Sequence, residues 1–214
     1  MQQESKWGNL DINKSYIGIS PFFEKWVKLF EYHLRKREVE DSHLGDERVL
    51  ILSPPTDPGI ILLAESNRKG ETIFLCPTDR IEAIAYGYVR KKKTDNVNMV
   101  LSNLEQAGFD SGYFDIVFAN CYFDFCPHEE VMRSIRKIND ILKKGGLLFS
   151  VHMDIPCGWL GKLWSGIFQY VPAISRGCHP VEIDDFLINE YTIIKNIRES
   201  RYGFPLRYLM AMRR

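Results

Sequence analysis

Apolar residues recur at helical spacing through Phe22, Phe23, Trp26, Val27, Phe30 and Leu34, with Glu24, Lys25, Lys28 and Glu31 between them. This spacing predicts an amphipathic helix that ends near Arg37. Ser20 as N-cap and Pro21 in the first turn would open it. Residues 38–47 are polar, include Gly45-Asp46 and read as a linker. The run Val49-Leu50-Ile51-Leu52 follows, as suits a strand buried on both faces. It stops at Ser53-Pro54-Pro55-Thr56-Asp57-Pro58-Gly59.

From there the pattern alternates. Residues 60–66 read as helix, 72–75 as strand, and 79–90 as helix with Asp79 and Glu82 at capping-box spacing. Strands are predicted at 97–101 and 115–119, a helix at 129–142 closed by Lys143-Lys144-Gly145-Gly146, and a strand at 147–152. Strands alternating with helices predict an α/β, Rossmann-like, doubly wound and mostly parallel sheet with right-handed crossovers. Ligands of such sheets bind at the carboxyl ends of the strands. Beyond His152 the aromatic-rich stretch 156–169 fits a helical lid. Residues 183–189 are helix-like, and 191–197 with 206–212 read as a closing antiparallel hairpin. The expected organisation is a helical cap over residues 1–45 and one domain over 46–214, with a lid insertion at about 155–175.

Composition narrows the class. The 214 residues are 45% hydrophobic and 26% charged, with 28 basic and 28 acidic side chains in balance. That is a globular chain. Its zero formal charge argues against nucleic acid as a partner, an RNA substrate included. Arg90-Lys91-Lys92-Lys93 reads as a solvated helix end. No apolar run reaches the length of a membrane span, and the N-terminal seven residues lack the features of a signal peptide. Five cysteines, odd in number and spread out, suit reduced thiols in the cytoplasm. Cys121 and Cys126 are separated by four residues with no second matching pair, which is not zinc spacing, so no metal is expected.

Asn103 to Asp115 (NLEQAGFDSGYFD), Phe114-Asp115-Ile116-Val117, the turn Asn120-Cys121-Tyr122, Ile141-Leu142-Lys143-Lys144-Gly145-Gly146 and Gly203-Phe204-Pro205 together resemble class I S-adenosylmethionine-dependent methyltransferases. The likeness is to the ubiquinone/menaquinone-biosynthesis type, methyltransferase type 11. The resemblance spans roughly residues 46–214 and implies a seven-stranded fold, S-adenosylmethionine as cofactor, and a small-molecule acceptor. The residues matching the cofactor motifs are Ser53, Asp57, Gly59, Cys76, Asn103, Leu104 and Asn120. The sequence departs from the family pattern at three of these places. The family's glycine loop is here the proline-bearing 53–59, which is stiff and donor-poor. The ribose-binding acid falls at Cys76, and the adenine-binding acid at Asn103, whose amide oxygen still accepts. Asp57 is placed to pair with the cofactor's ammonium group.

Among the strand-end polar groups, His152 is the candidate general base or substrate anchor, with Asp154 to orient it. Tyr122, Trp159 and His179 are candidates to hold an apolar or aromatic acceptor under the lid. Two readings stand at this point: a small-molecule methyltransferase, or a protein of the same fold that has lost or changed its cofactor (a subunit, a ligand-binding protein or a repurposed enzyme). A homodimer or a protein partner is compatible with either.

Overall fold

The computed structural model describes residues 11–214, except the side chains of residues 172 and 173. The N-terminal segment read above for a signal peptide lies outside the described residues, as does the beginning of the cap.

Seven strands form one sheet: β1 (Arg48–Leu52), β2 (Glu71–Cys76), β3 (Asn98–Leu101), β4 (Phe114–Ala119), β5 (Leu142–Met153), β6 (Tyr191–Arg201) and β7 (Phe204–Arg213). Their order is β3-β2-β1-β4-β5-β7-β6. The first five run parallel, and β7 lies antiparallel between β5 and β6. The apolar run of β1 is buried on both faces, as its composition predicts. At the β6 edge, Lys195, Arg198, Glu199 and Arg201 oppose strand addition by another chain.

One face of the sheet is covered by α1 (Ile12–Phe30), α2 (Tyr32–Ser42), α3 (Pro58–Ser66) and α4 (Asp79–Lys91). The other is covered by α5 (His128–Ile141) and α8 (Asp184–Leu187). The lid is α6 (Gly158–Tyr170) followed by α7 (Pro172–Ser175). Residues 102–113 return from the β3 edge without a helix, packing Leu104, Phe109 and Tyr113 on the second face.

The N-terminal region departs most from expectation. Asp11, not Ser20, caps α1 by accepting from the Asn13 and Lys14 amides. Pro21 lies inside the helix, where it has no N–H for the Ile17 carbonyl; the Ser20 hydroxyl donates to the Tyr16 carbonyl. The buried stripe Tyr16, Ser20, Phe23, Val27 and Phe30 explains why the helix starts two turns early. Half of the expected linker is helix as well, because α2 runs on to Ser42. The chain breaks only at Glu31 (φ −121°, ψ −6°) and continues as α2. Smaller differences concern caps and ends. Thr78 caps α4 and leaves Asp79 as its first residue. Strand β5 begins as soon as α5 ends, and a Cβ at Gly146 would stand 2.9 Å from the Asp115 carbonyl oxygen.

Candidate functional site

The break at Glu31 aims three charged side chains of successive helical turns, Glu31, Arg35 and Glu38, into the protein, where each is 2% exposed or less. Arg35 reaches the proline-bearing loop after β1. Its Nε donates to both Asp57 oxygens at 3.1 Å, and its Nη2 donates to Glu31 Oε2 at 2.9 Å. Glu38 lies 3.9 Å from Nη1 and accepts from Asn120 Nδ2 at 2.8 Å. Cys121, just past β4, adopts a left-handed φ of 48° and donates its thiol to Glu31 Oε2 at 3.3 Å. This cluster binds α2, the β1 loop and the end of β4 into one polar core.

Burial dominates its titration. It raises Glu31 above the usual carboxylate range against the pull of Arg35, and it lifts Glu38 to about 8. Arg35 stays charged, because Asp57 and Glu31 more than offset its own desolvation.

Two cavities open at this edge of the sheet, and Glu31 and Cys121 of the cluster line the second. The first, a crevice of about 410 Å³, opens at the carboxyl ends of β1, β2 and β3 beneath the start of α1. Leu52, Leu75 and Leu104 give it apolar walls, and Ser53, Asn103 and Tyr16 give it polar ones. The Tyr16 hydroxyl is buried and has no hydrogen-bond partner among the described residues. The second cavity, about 280 Å³, lies between α1, the lid and the ends of β4 and β5. Trp26, Phe125, Phe168 and Phe204 wall it, and Glu31 and Asp124 open into it. Burial, then the Glu31 charge, pushes the Asp124 carboxyl well up; the Met153 amide, which donates to both of its oxygens at 3.0 and 3.2 Å, pulls the other way.

Ser53, Asn103 and Leu104 do line the crevice, where the cofactor motif would put them. Asn103 Oδ1 accepts from the Gln106 amide at 2.9 Å, closing a local turn. Tyr122 also lines this crevice rather than the lid cavity, with its hydroxyl 3.3 Å from Ser134. The remaining cofactor candidates are turned to internal tasks. Asp57 caps α3 by accepting from the Gly59 amide at 2.7 Å and holds Arg35. Gly59 makes room for Arg35, because a Cβ there would lie 3.0 Å from the Arg35 Cδ. Cys76 is buried in the core, and burial pushes its thiol up to about 12. Asn120 clamps strands, donating from its amide to the Leu52 carbonyl and accepting at Oδ1 from the Val151 amide.

The structure does not bring His152 to either cavity. On β5, Phe149, Val151 and Met153 face the first layer, so His152 and Ser150 face the other. His152 Nδ1 lies 3.0 Å from Ser150 Oγ, and burial beside Arg207 lowers its pKa to about 3. Asp154 does not orient it; that carboxylate is 3.6 Å from Arg198 on β6. Trp159 is 74% exposed, while Trp164 and Phe168 of the same helix pack inward against Trp26. His179 is held behind the cavity floor, its amide donating to the Asp124 carbonyl and its Nδ1 lying 3.0 Å from the Gly177 carbonyl.

The architecture has clear relatives. The chain has the fold of class I methyltransferases. Residues 72–150 match the family model of a methyltransferase domain. A SAM-dependent methyltransferase of Methanosarcina mazei superposes with a TM-score of 0.65 at 15% identity, over 82% of this chain and 96% of that one. The N-methyltransferase NodS of Bradyrhizobium japonicum, solved with S-adenosyl-L-homocysteine, gives 0.67 at 11%, over 94% and 98%. The [4+2]-cyclase SpnF gives 0.67 at 14%, over 94% of both chains. No curated protein matches the sequence. Within this fold, the residues that sequence reasoning missed are Glu31, Arg35, Glu38 and Tyr16. The signal was there in part: charges at positions 31, 35 and 38 share one face of a helix.

Proposed function

We propose that this protein is an S-adenosylmethionine-dependent methyltransferase for a small apolar or aromatic acceptor. The observation that carries the reading is the crevice at the ends of β1–β3, bearing a buried Tyr16 hydroxyl without a partner and lying beside an aromatic-walled cavity. A buried donor left unpaired is costly, and a nucleoside supplies the missing partner. The residues suit the nucleoside half of the cofactor: leucine walls for the base, and Asn103, Ser53 and Tyr16 for its polar edges and ribose. When bound, the cofactor supplies a methyl group on a sulfonium, an electrophile that needs alignment more than activation.

The chain's own part is to position and to exclude water. Trp26, Phe125, Phe168 and Phe204 surround the acceptor and keep solvent out. Glu31 and Asp124, both raised by burial, are the carboxyls that can take a proton from it. They replace His152 in that role, since that ring faces the opposite layer.

Isothermal calorimetry with S-adenosyl-L-homocysteine tests this. Micromolar binding, weakened several-fold by Asn103→Ala and by Tyr16→Phe, is expected. Absence of heat with a folded protein would refute the reading. A second reading, the same fold with changed cofactor use, is favoured by one observation. Arg35 packs against the loop that in this fold holds the cofactor's amino-acid end, and Gly59 accommodates Arg35. SpnF, a cyclase by its name, illustrates that this fold hosts other reactions.

A further inference from the structure

We infer that the aromatic-walled cavity takes its ligand as an apolar amine in the ammonium form, with the nitrogen between Glu31 and Asp124. The inference deepens the proposed function by naming an acceptor class, but binding alone tests it.

Glu31, Glu38, Asp57 and Asp124 are each at most 2% exposed, and Arg35 is the buried cation among them. Asp57 takes the Nε of Arg35 and Glu31 takes Nη2. Asp124 accepts from the Met153 amide and the Cys121 thiol, neither of which carries a positive charge. Buried carboxyls in excess of their counter-charges are unfavourable when ionised. Glu31 and Asp124 both line the cavity, and the Glu31 charge raises Asp124, so a cation placed between them relieves that repulsion.

The walls suit the same ligand. Trp26 and Phe204 stand edge to face with centroids 5.0 Å apart, and Trp26 lies 5.9 Å from Phe168. Such ring clusters attract an ammonium through their faces and an apolar body through contact area. Met153 and Cys178 complete an apolar lining. The other charged group on the cavity, Arg176, is exposed and so sits toward solvent rather than beside the acids. A carboxylate ligand would have to approach Glu31 and Asp124, so anions are excluded. A neutral alcohol gains the rings but not the charge.

The test is calorimetry on the full chain without cofactor, using 2-phenylethylamine, 2-phenylethanol and phenylacetate as probes. The amine is expected to bind at least tenfold more tightly than the alcohol, and phenylacetate not at all. Binding the amine should release protons, read as a heat that changes with the ionisation enthalpy of the buffer; the alcohol should release none. Asp124→Asn and Glu31→Gln should each reduce the preference for the amine over the alcohol to threefold or less. Equal affinity for amine and alcohol, no binding of the amine, or an unchanged preference in both variants would overturn the inference. The wild-type proton release stands independently of whether either variant folds. None of these outcomes depends on S-adenosyl-L-homocysteine binding, which tests the cofactor reading separately.

Discussion

After β1 the chain fills the space above the sheet with its own charges, whereas beyond β4 and β5 it leaves a cavity of about 280 Å³. Both places lie at the carboxyl edge, where open α/β sheets bind ligands. Where Pro54 and Pro55 remove backbone donors, a guanidinium from α2 enters and ties Asp57 to Glu31. Where the aromatic side chains of α1 and the lid meet, the described residues line a cavity. Rigidity on one side thus comes from an ion cluster, and space on the other from stiff rings that do not collapse. The contrast teaches that a proline-bearing loop can be fixed by side chains from a neighbouring helix.

Removing the guanidinium tests the filled side most severely. Arg35→Met leaves Glu31, Glu38 and Asp57 buried without their cation and should cost about 3–5 kcal/mol in urea unfolding. A loss below about 1 kcal/mol would mean that the cluster is not held by charge. Gly59→Ala probes the same packing more gently. Its Cβ would meet the Arg35 Cδ and Asp57 Oδ1 at 3.0 Å, and the crowding should cost about 1–3 kcal/mol. If the variant is as stable as the parent, the close approach does not shape the loop.

The smallest effect is a pH slope. Glu38 keeps its proton to about 8 in the folded chain, above its ordinary value of 4.5. Between those values the folded state binds more protons than the unfolded state, so stability is fullest at low pH and falls as pH rises toward 8. Glu31 and Asp124 are shifted in the same direction. Glu38→Gln should therefore flatten, not abolish, the decline in melting temperature between about pH 5 and 8. An unchanged slope would remove Glu38 from the account.

The central sheet was legible because buried parallel strands are written as continuous apolar runs, and Val49–Leu52 can hardly be anything else. Ser53, Asn103 and Leu104, which the family resemblance put among the cofactor motifs, line the crevice. The ion cluster was not legible, because Arg35 and Glu38 look like solvent-facing charges until tertiary packing turns their helix face inward. His152 misled for a simpler reason. Strand alternation decides which layer a side chain meets, and the neighbours Val151 and Met153 claim the cavity side. Pro21 misled too, since a proline that ordinarily opens a helix here sits within one whose buried stripe starts at Tyr16.

The account rests on the crevice accepting a nucleoside although its loop lacks glycines. A crystal structure of the protein soaked with S-adenosyl-L-homocysteine addresses this directly. The account predicts the adenine against Leu104 and Asn103, the Tyr16 hydroxyl bonded to the ligand, and the amino-acid tail directed at the Arg35 cluster. A crevice without ligand density at saturating concentration, or a ligand bound elsewhere while Tyr16 stays unpaired, would contradict it.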